Sequence, residues 1–182
     1  MGTLVRTMRG VVVCLGVMAI ANGAQAAQEE WLLVIGGSNY HSATFVEKTT
    51  FRRDGGTVTL WVDKRFDEEG APKNNPEVRS IKEHFKYFCE SNKVQLLTAA
   101  FFDINRKVIL REDAFSTDPA MDIAPGSLDW GLKEVVCNPN FGKTKMPGVF
   151  PVGDEIGRAT QLYFESSIQL RSKNQQSPES AR

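Results

Sequence analysis

The sequence is poor in the residues that most often carry chemistry. Its 182 residues include 2 histidines and 3 cysteines. It has no G-x-S-x-G, H-E-x-x-H, P-loop or G-x-G-x-x-G pattern. The nucleophile-elbow, zinc-protease and nucleotide-binding chemistries therefore have no footing, and no cofactor or metal is expected. Charge of one sign is also lacking, since 22 lysines and arginines face 22 aspartates and glutamates. Nucleic acid as the main partner needs a basic excess, which this composition does not supply. The apolar run Val11 to Ala21 is too short to span a bilayer, and no internal repeat is present. What remains, 41% hydrophobic and 24% charged residues, is ordinary globular composition for one domain with a real core and appendages.

The N-terminus carries Arg6 and Arg9, then the apolar run, then the A-x-A site Ala24-Gln25-Ala26. Residues 1–26 read as a secretory signal peptide, with the mature chain beginning near Ala27. Losing Arg6 and Arg9 leaves 20 basic against 22 acidic residues. Cys14 follows Val13 rather than a small residue, so no lipoprotein is expected and Cys14 leaves with the signal. Cys89 and Cys137 remain. An even number of cysteines in an oxidising compartment favours a disulfide between them. Two free thiols or a metal pair are the alternative, although no further ligand stands at zinc-like spacing. The expected location is outside the inner membrane, in the periplasm or at the cell surface in association with the outer membrane. No transmembrane segment is expected after signal removal.

The hydropathy pattern predicts an α+β fold: a small antiparallel sheet of about six strands, packed by a C-terminal helix and stapled by one disulfide. Residues 30–36 form a continuous apolar run that suits a buried strand. Residues 40–53 suggest one or two short strands, and Asp54-Gly55-Gly56 a hairpin turn. Over 57–65, Val58, Leu60 and Val62 alternate with polar residues and Trp61. Residues 66–77 form a polar loop that is either mobile or a binding loop. A strand over 78–89 places Ile81, Phe85, Tyr87 and Cys89 on one face, and Lys82, His84 and Lys86 on the other with Phe88. Residues 93–102 and 107–112 complete a meander, with Val94, Leu96, Ala100 and Phe102 in phase. After a second polar loop at 113–124, Ser127 is a natural N-cap. Leu128, Leu132, Val135 and Val136 follow on one helical stripe that ends at Cys137. The domain is thus expected over 27–137 and a Pro/Gly-rich linker over 138–153. The extension over 154–182 is read as a helix or a strand followed by a disordered tail.

Few residues suggest a site. Arg79, Lys82, His84 and Lys86 are the candidate binding residues. Arg52, Arg53, Lys64 and Arg65 are near enough in sequence to join them in a basic docking patch; ordinary scattered surface charge is the alternative. Trp61 and Phe88 fall on the polar faces of their strands, as core on the helix-covered side, the reading expected for Trp61, or as exposed anchors of an interface. His41-Ser42 lacks a third member for nucleophilic catalysis. Asp67-Glu68-Glu69 reads as solvated acid in a loop, with weak calcium binding as the alternative.

The chain resembles the surface-adhesin protein E family of bacterial exported proteins. The points of resemblance are Trp31, Trp61, Arg79-Ser80-Ile81 leading to Cys89, the hairpin Phe101 to Val108, Pro125-Gly126-Ser127 and Val135-Val136-Cys137. Together they cover about residues 30–137. The resemblance implies a small antiparallel sheet packed by a helix, and adhesion to host or matrix proteins. With the signal peptide and the missing catalytic set, the expected function is an exported, non-enzymatic binding module with a protein partner. Alternatives are a periplasmic assembly factor that engages an envelope protein through the segment after Cys137, and a small carrier of heme.

Overall fold

Alternation of apolar and polar residues builds the centre of one antiparallel sheet. The computed structural model describes residues 30–34, 41–113 and 118–175. The expected signal peptide, Cys14, the cluster Gly36-Gly37-Ser38-Asn39, which reads as a turn in the sequence, and the end of the tail lie outside these residues. In order along the chain come β1 (Trp31–Val34), β2 (Ser42–Glu47), β3 (Arg52–Asp54), β4 (Thr57–Phe66), β5 (Ser80–Phe88) and β6 (Lys93–Phe102). They are followed by β7 (Val108–Glu112), β8 (Met121–Asp122), α1 (Leu128–Cys137), β9 (Val149–Gly153) and α2 (Ile156–Gln175). The sheet runs β7-β6-β5-β4-β2-β1-β9, with β3 on β4 and β8 on β6.

Side chains of cross-strand partners share a face, so the register assigns every residue to one of two faces. On the first face Val58, Leu60 and Val62 of β4 are fully buried, together with Val46, Tyr87 and Phe85. Each such side chain contributes about 1.5–3 kcal/mol relative to exposure. Helix α1 covers this face with Leu132 and Val136, and Ile123 and Phe141 complete the core. The Ser127 hydroxyl caps α1 by accepting from Trp130 N. The other end is fixed twice. Cys137 is bonded to Cys89, with their Cα atoms 5.4 Å apart, and the Arg53 guanidinium donates to the carbonyls of Val136, Cys137 and Asn138. Those carbonyls have no partners within the helix, and a cation suits that end of the helix dipole.

The second face carries a smaller cluster. Trp31, Leu33, Ala43 and Phe45 pack against Val152 and against Ile156, Ala159, Tyr163 and Phe164 of α2. No helix among the described residues is long and apolar enough to cross a membrane.

Three expectations need correction, and one open reading is resolved. The sheet has nine strands among the described residues rather than about six. Two of the additional ones, β3 and β8, are only three and two residues long, too short for a periodicity to show. Residues 138–153 are not simply a linker, because β9 joins the sheet beside β1. Pro151 is tolerated there because β9 is an edge strand and the register shifts beside it, which are the positions where a missing N–H costs least. Residues 156–175, left open as helix or strand, are helix. Finally, β6 contains a bulge. His84 pairs with Thr98 but Phe85 with Leu96, leaving Leu97 as the extra residue. Val94 and Leu96 therefore face the α1 core, whereas Ala100 and Phe102, opposite Lys82 and Ser80, fall on the second face. One inserted residue reverses the phase that alternation alone predicts.

The loop over 66–77 is anchored to the end of β2. The His41 imidazole reaches Asp67 at 2.8 Å through Nδ1 and Glu69 at 3.3 Å through Nε2. Gly70 lies so close that an added Cβ would meet the His41 carbonyl oxygen at 2.2 Å. Both imidazole nitrogens thus hold a loop.

Candidate functional site: the open half of the second sheet face

Helix α2 covers the second face over β1 and β2 and reaches the end of β4 at Arg65; among the described residues no helix packs over the middle of this face, built by β4, β5, β6 and β7. The register lines up Trp61, His84 and Thr98 across three strands. The next row is Asp63, Lys82, Ala100 and Arg111. A cavity of about 440 Å³ opens over these rows, lined by Glu47, Trp61, Lys82, Thr98, Phe102 and Arg111 among others.

The geometry inside is aromatic and cationic. The rings of Trp61 and His84 stack with centroids 4.8 Å apart and planes 14° apart. The Lys82 ammonium lies 5.0 Å from the Trp31 ring centroid and 5.5 Å from that of Trp61. It also faces the Glu47 carboxylate at 3.6 Å, a carboxylate that is almost wholly buried. A cation held by two indoles and one carboxylate is stabilised by the ring quadrupoles as well as by Coulomb attraction. Burial lowers the His84 pKa, so the stacked ring favours its neutral form. Further along β5 the Lys86 ammonium sits 5.4 Å over Phe88. The site therefore offers flat aromatic surface, a few fixed cations and hydroxyl groups. Such a surface can bind, and among the described residues no group of three or more His, Cys, Asp or Glu side chains is placed to hold a metal.

The structure brings Lys82 and His84 together, with Lys86 at the margin. It does not bring in Arg79, whose guanidinium turns back to the carbonyls of Pro76 and Val78 and lines a different cavity. The wider basic patch is dispersed. Arg53 caps α1. Lys64 lies on the α1 face, between Glu83 at 3.0 Å and Asp129 at 3.5 Å. Those two carboxylates keep Lys64 above its usual pKa against the effect of burial, while burial raises that of Glu83. Arg65 pairs with the buried Asp63. Only Arg52, opposite Thr59 on the second face, stays exposed on the open side. Trp61 belongs to that side and not to the α1 core, since β4 places it out of phase with Val58, Leu60 and Val62. Residue spacing did not single out Glu47, Thr98 or Arg111. They come from other strands, and only the register places them here.

A half-open sheet stapled to one helix by a disulfide, with an aromatic and cationic floor, is the architecture of this small domain. Residues 31–138, more than half of the chain, match the family model described as surface-adhesin protein E, and the chain belongs to that family. No curated protein matches the chain.

Proposed function

We propose that the chain is an exported, non-catalytic protein-binding module that acts as a surface adhesin for host or matrix proteins. Its docking surface is the open half of the second sheet face. The observation that carries this reading is the cavity in which Trp61 stacks on His84 and Lys82 stands between Trp31 and Trp61. Aromatic residues flanked by fixed cations are the groups that dominate protein-binding hot spots. Lys86 and Arg111 add positive charge at the margins, so the partner surface presents acidic and apolar side chains. Family membership supports the adhesive role.

The test uses intact cells and purified chain. Protease shaving is expected to remove the protein from intact cells, and the purified chain is expected to bind an immobilised matrix protein. Trp61→Ala combined with Arg111→Glu is expected to weaken that binding by about a hundredfold, a loss of about 2.7 kcal/mol typical of an aromatic anchor with its charge partner. Binding that survives the double substitution would move the docking surface elsewhere.

A second reading has one observation in its favour. Helix α2 exposes the apolar side chains Leu162, Ile168 and Leu170, which suit contact with another envelope protein. In that case the protein acts as a periplasmic assembly factor. Shaving then spares it until the outer membrane is opened, and crosslinks recover a partner through α2.

A further inference from the structure

A cavity of about 510 Å³ lies at the junction of the end of β4, the start of β5, the β6–β7 turn and the first half of α2. Its chemistry is set by arginine. Asp63, 1% exposed, offers one carboxylate oxygen, Oδ2, to two guanidiniums at once: Arg65 at 3.3 Å and Arg106 at 3.2 Å. Its other oxygen, Oδ1, and the Arg65 Nε are both buried without a hydrogen-bond partner. Two positive groups thus share one negative charge, with polar capacity left over, which is costly away from water.

Arg106 is held in this place against its backbone preference. It has φ of 63°, a left-handed conformation that costs a non-glycine residue about 1–2 kcal/mol. Asp103 fixes the turn by accepting from the N–H groups of Asn105 and Lys107 at 2.9 and 2.8 Å. The guanidinium then crosses Phe102 at 4.6 Å and donates to the Ser80 hydroxyl. A third guanidinium, Arg79, lines the same cavity and donates to main-chain carbonyls. Carboxylates line it too, but their bonds serve their own loops. Asp67 accepts from Gly70 N and meets His41, Asp103 closes its turn, and Glu68 is exposed. The remaining walls include Phe66, Ile104 and Phe164.

We propose that this cavity binds a carboxylate with an apolar body. The carboxylate bridges Arg65 and Arg106, with Arg79 closing over it, and the apolar body lies against Phe66, Ile104 and Phe164. An anion placed there supplies the second negative charge that the arginine pair lacks. Its charge also offsets the burial and the Arg106 repulsion that lower the Arg65 pKa. Forked guanidiniums match carboxylate geometry, and a cavity of this size suits a small molecule or one chain-terminal residue. The site is separate from the proposed docking face and stands or falls without it.

The two sources of such a carboxylate are a small organic acid and the C-terminus of a peptide. The experiment is an amide-resolved NMR titration of the purified chain with 3-phenylpropanoate, with N-acetylphenylalanine and with the neutral amide of each. Ligands are taken to about 10 mM, above the millimolar dissociation constants expected of one charge-assisted pair. Both acids are expected to shift the amides of Ile104, Arg106, Thr160 and Phe164, and the neutral amides are expected to leave them in place. Tighter binding of N-acetylphenylalanine assigns the site to a chain terminus, and tighter binding of 3-phenylpropanoate to a small acid. Arg106→Ala is expected to weaken binding by about tenfold or more. Because that change also disturbs Asp63, Ile104→Glu is the second variant. Ile104 is 74% exposed, so Ile104→Glu leaves the fold intact while repelling the carboxylate. Equal shifts with acids and amides, no shifts with either acid, or unchanged affinity in Ile104→Glu would each overturn the proposal.

Discussion

Helices α1 and α2 lie on opposite faces of the same sheet, and the shorter one is held more firmly. Helix α1 has ten residues, a hydroxyl cap at its start, and a disulfide and an arginine at its end. Leu132 and Val136 are completely enclosed beneath it. Helix α2 has twenty residues and no disulfide among the described residues, and its large apolar residues that meet the sheet are only partly buried. It shelters β1 and β2 and stops short of Trp61. Length therefore does not set how well a face is sealed; capping, stapling and the phase of the apolar stripe do. The sealed face provides stability, and the partly sealed one leaves aromatic and cationic side chains in the open, the surface proposed for docking.

The largest effect expected on that contrast comes from the staple. Cys89 and Cys137 are separated by 48 residues, for which the chain-entropy estimate gives about 4 kcal/mol. Urea denaturation of Cys89→Ser/Cys137→Ser is expected to show a loss of that order. A negligible loss would mean that α1 is held by packing alone. Next come matched truncations. Leu132→Ala is expected to cost about 2–5 kcal/mol because the site is fully packed, and Phe164→Ala under α2 less than that. Equal costs in the same denaturation experiment would erase the difference between the faces.

The smallest effect is a titration on the open side. Burial depresses the His84 pKa, so the folded chain prefers the neutral ring. Its contribution to stability is present above the unfolded value of about 6.5 and is lost as pH falls through the lower folded value. Protonation also places a cation against the Trp61 ring. Tryptophan fluorescence is expected to fall with a midpoint below about pH 6.5, and His84→Gln to abolish the step. A midpoint above that value would mean that a carboxylate, rather than burial, controls His84.

Much of the sealed face was legible in the sequence, because local signals and packing agree there. Val58, Leu60 and Val62 alternate cleanly, Ser127 precedes a stripe at helical spacing, and two cysteines remain once the expected signal peptide is set aside. The open face was legible only in part. Lys82 and His84 follow from the period of β5. Glu47, Thr98 and Arg111 reach the cavity by strand pairing, which spacing within one segment cannot show. Lys64 and Arg65 are adjacent in sequence, yet each meets a different face of the sheet and a different helix. In α2 the apparent alternation of Leu162, Phe164, Ile168 and Leu170 imitates a strand. Of these only Phe164 packs on the sheet, so the residues that suggest a strand are mostly surface. The bulge at Leu97 leaves no compositional mark, although it decides which side Ala100 and Phe102 take.

The pairing of β9 with β1 has a consequence in time. Strand β1 is among the first described segments to be synthesised, and its outer neighbour β9 is among the last. Until residues 149–153 emerge, the apolar run from Trp31 to Val34 presents a bare row of main-chain donors and acceptors, a template for pairing with another chain. That edge of β1 is paired only once residues 149–153 have joined the sheet. A growing chain of this protein is therefore most prone to aggregate through β1 just before β9 arrives.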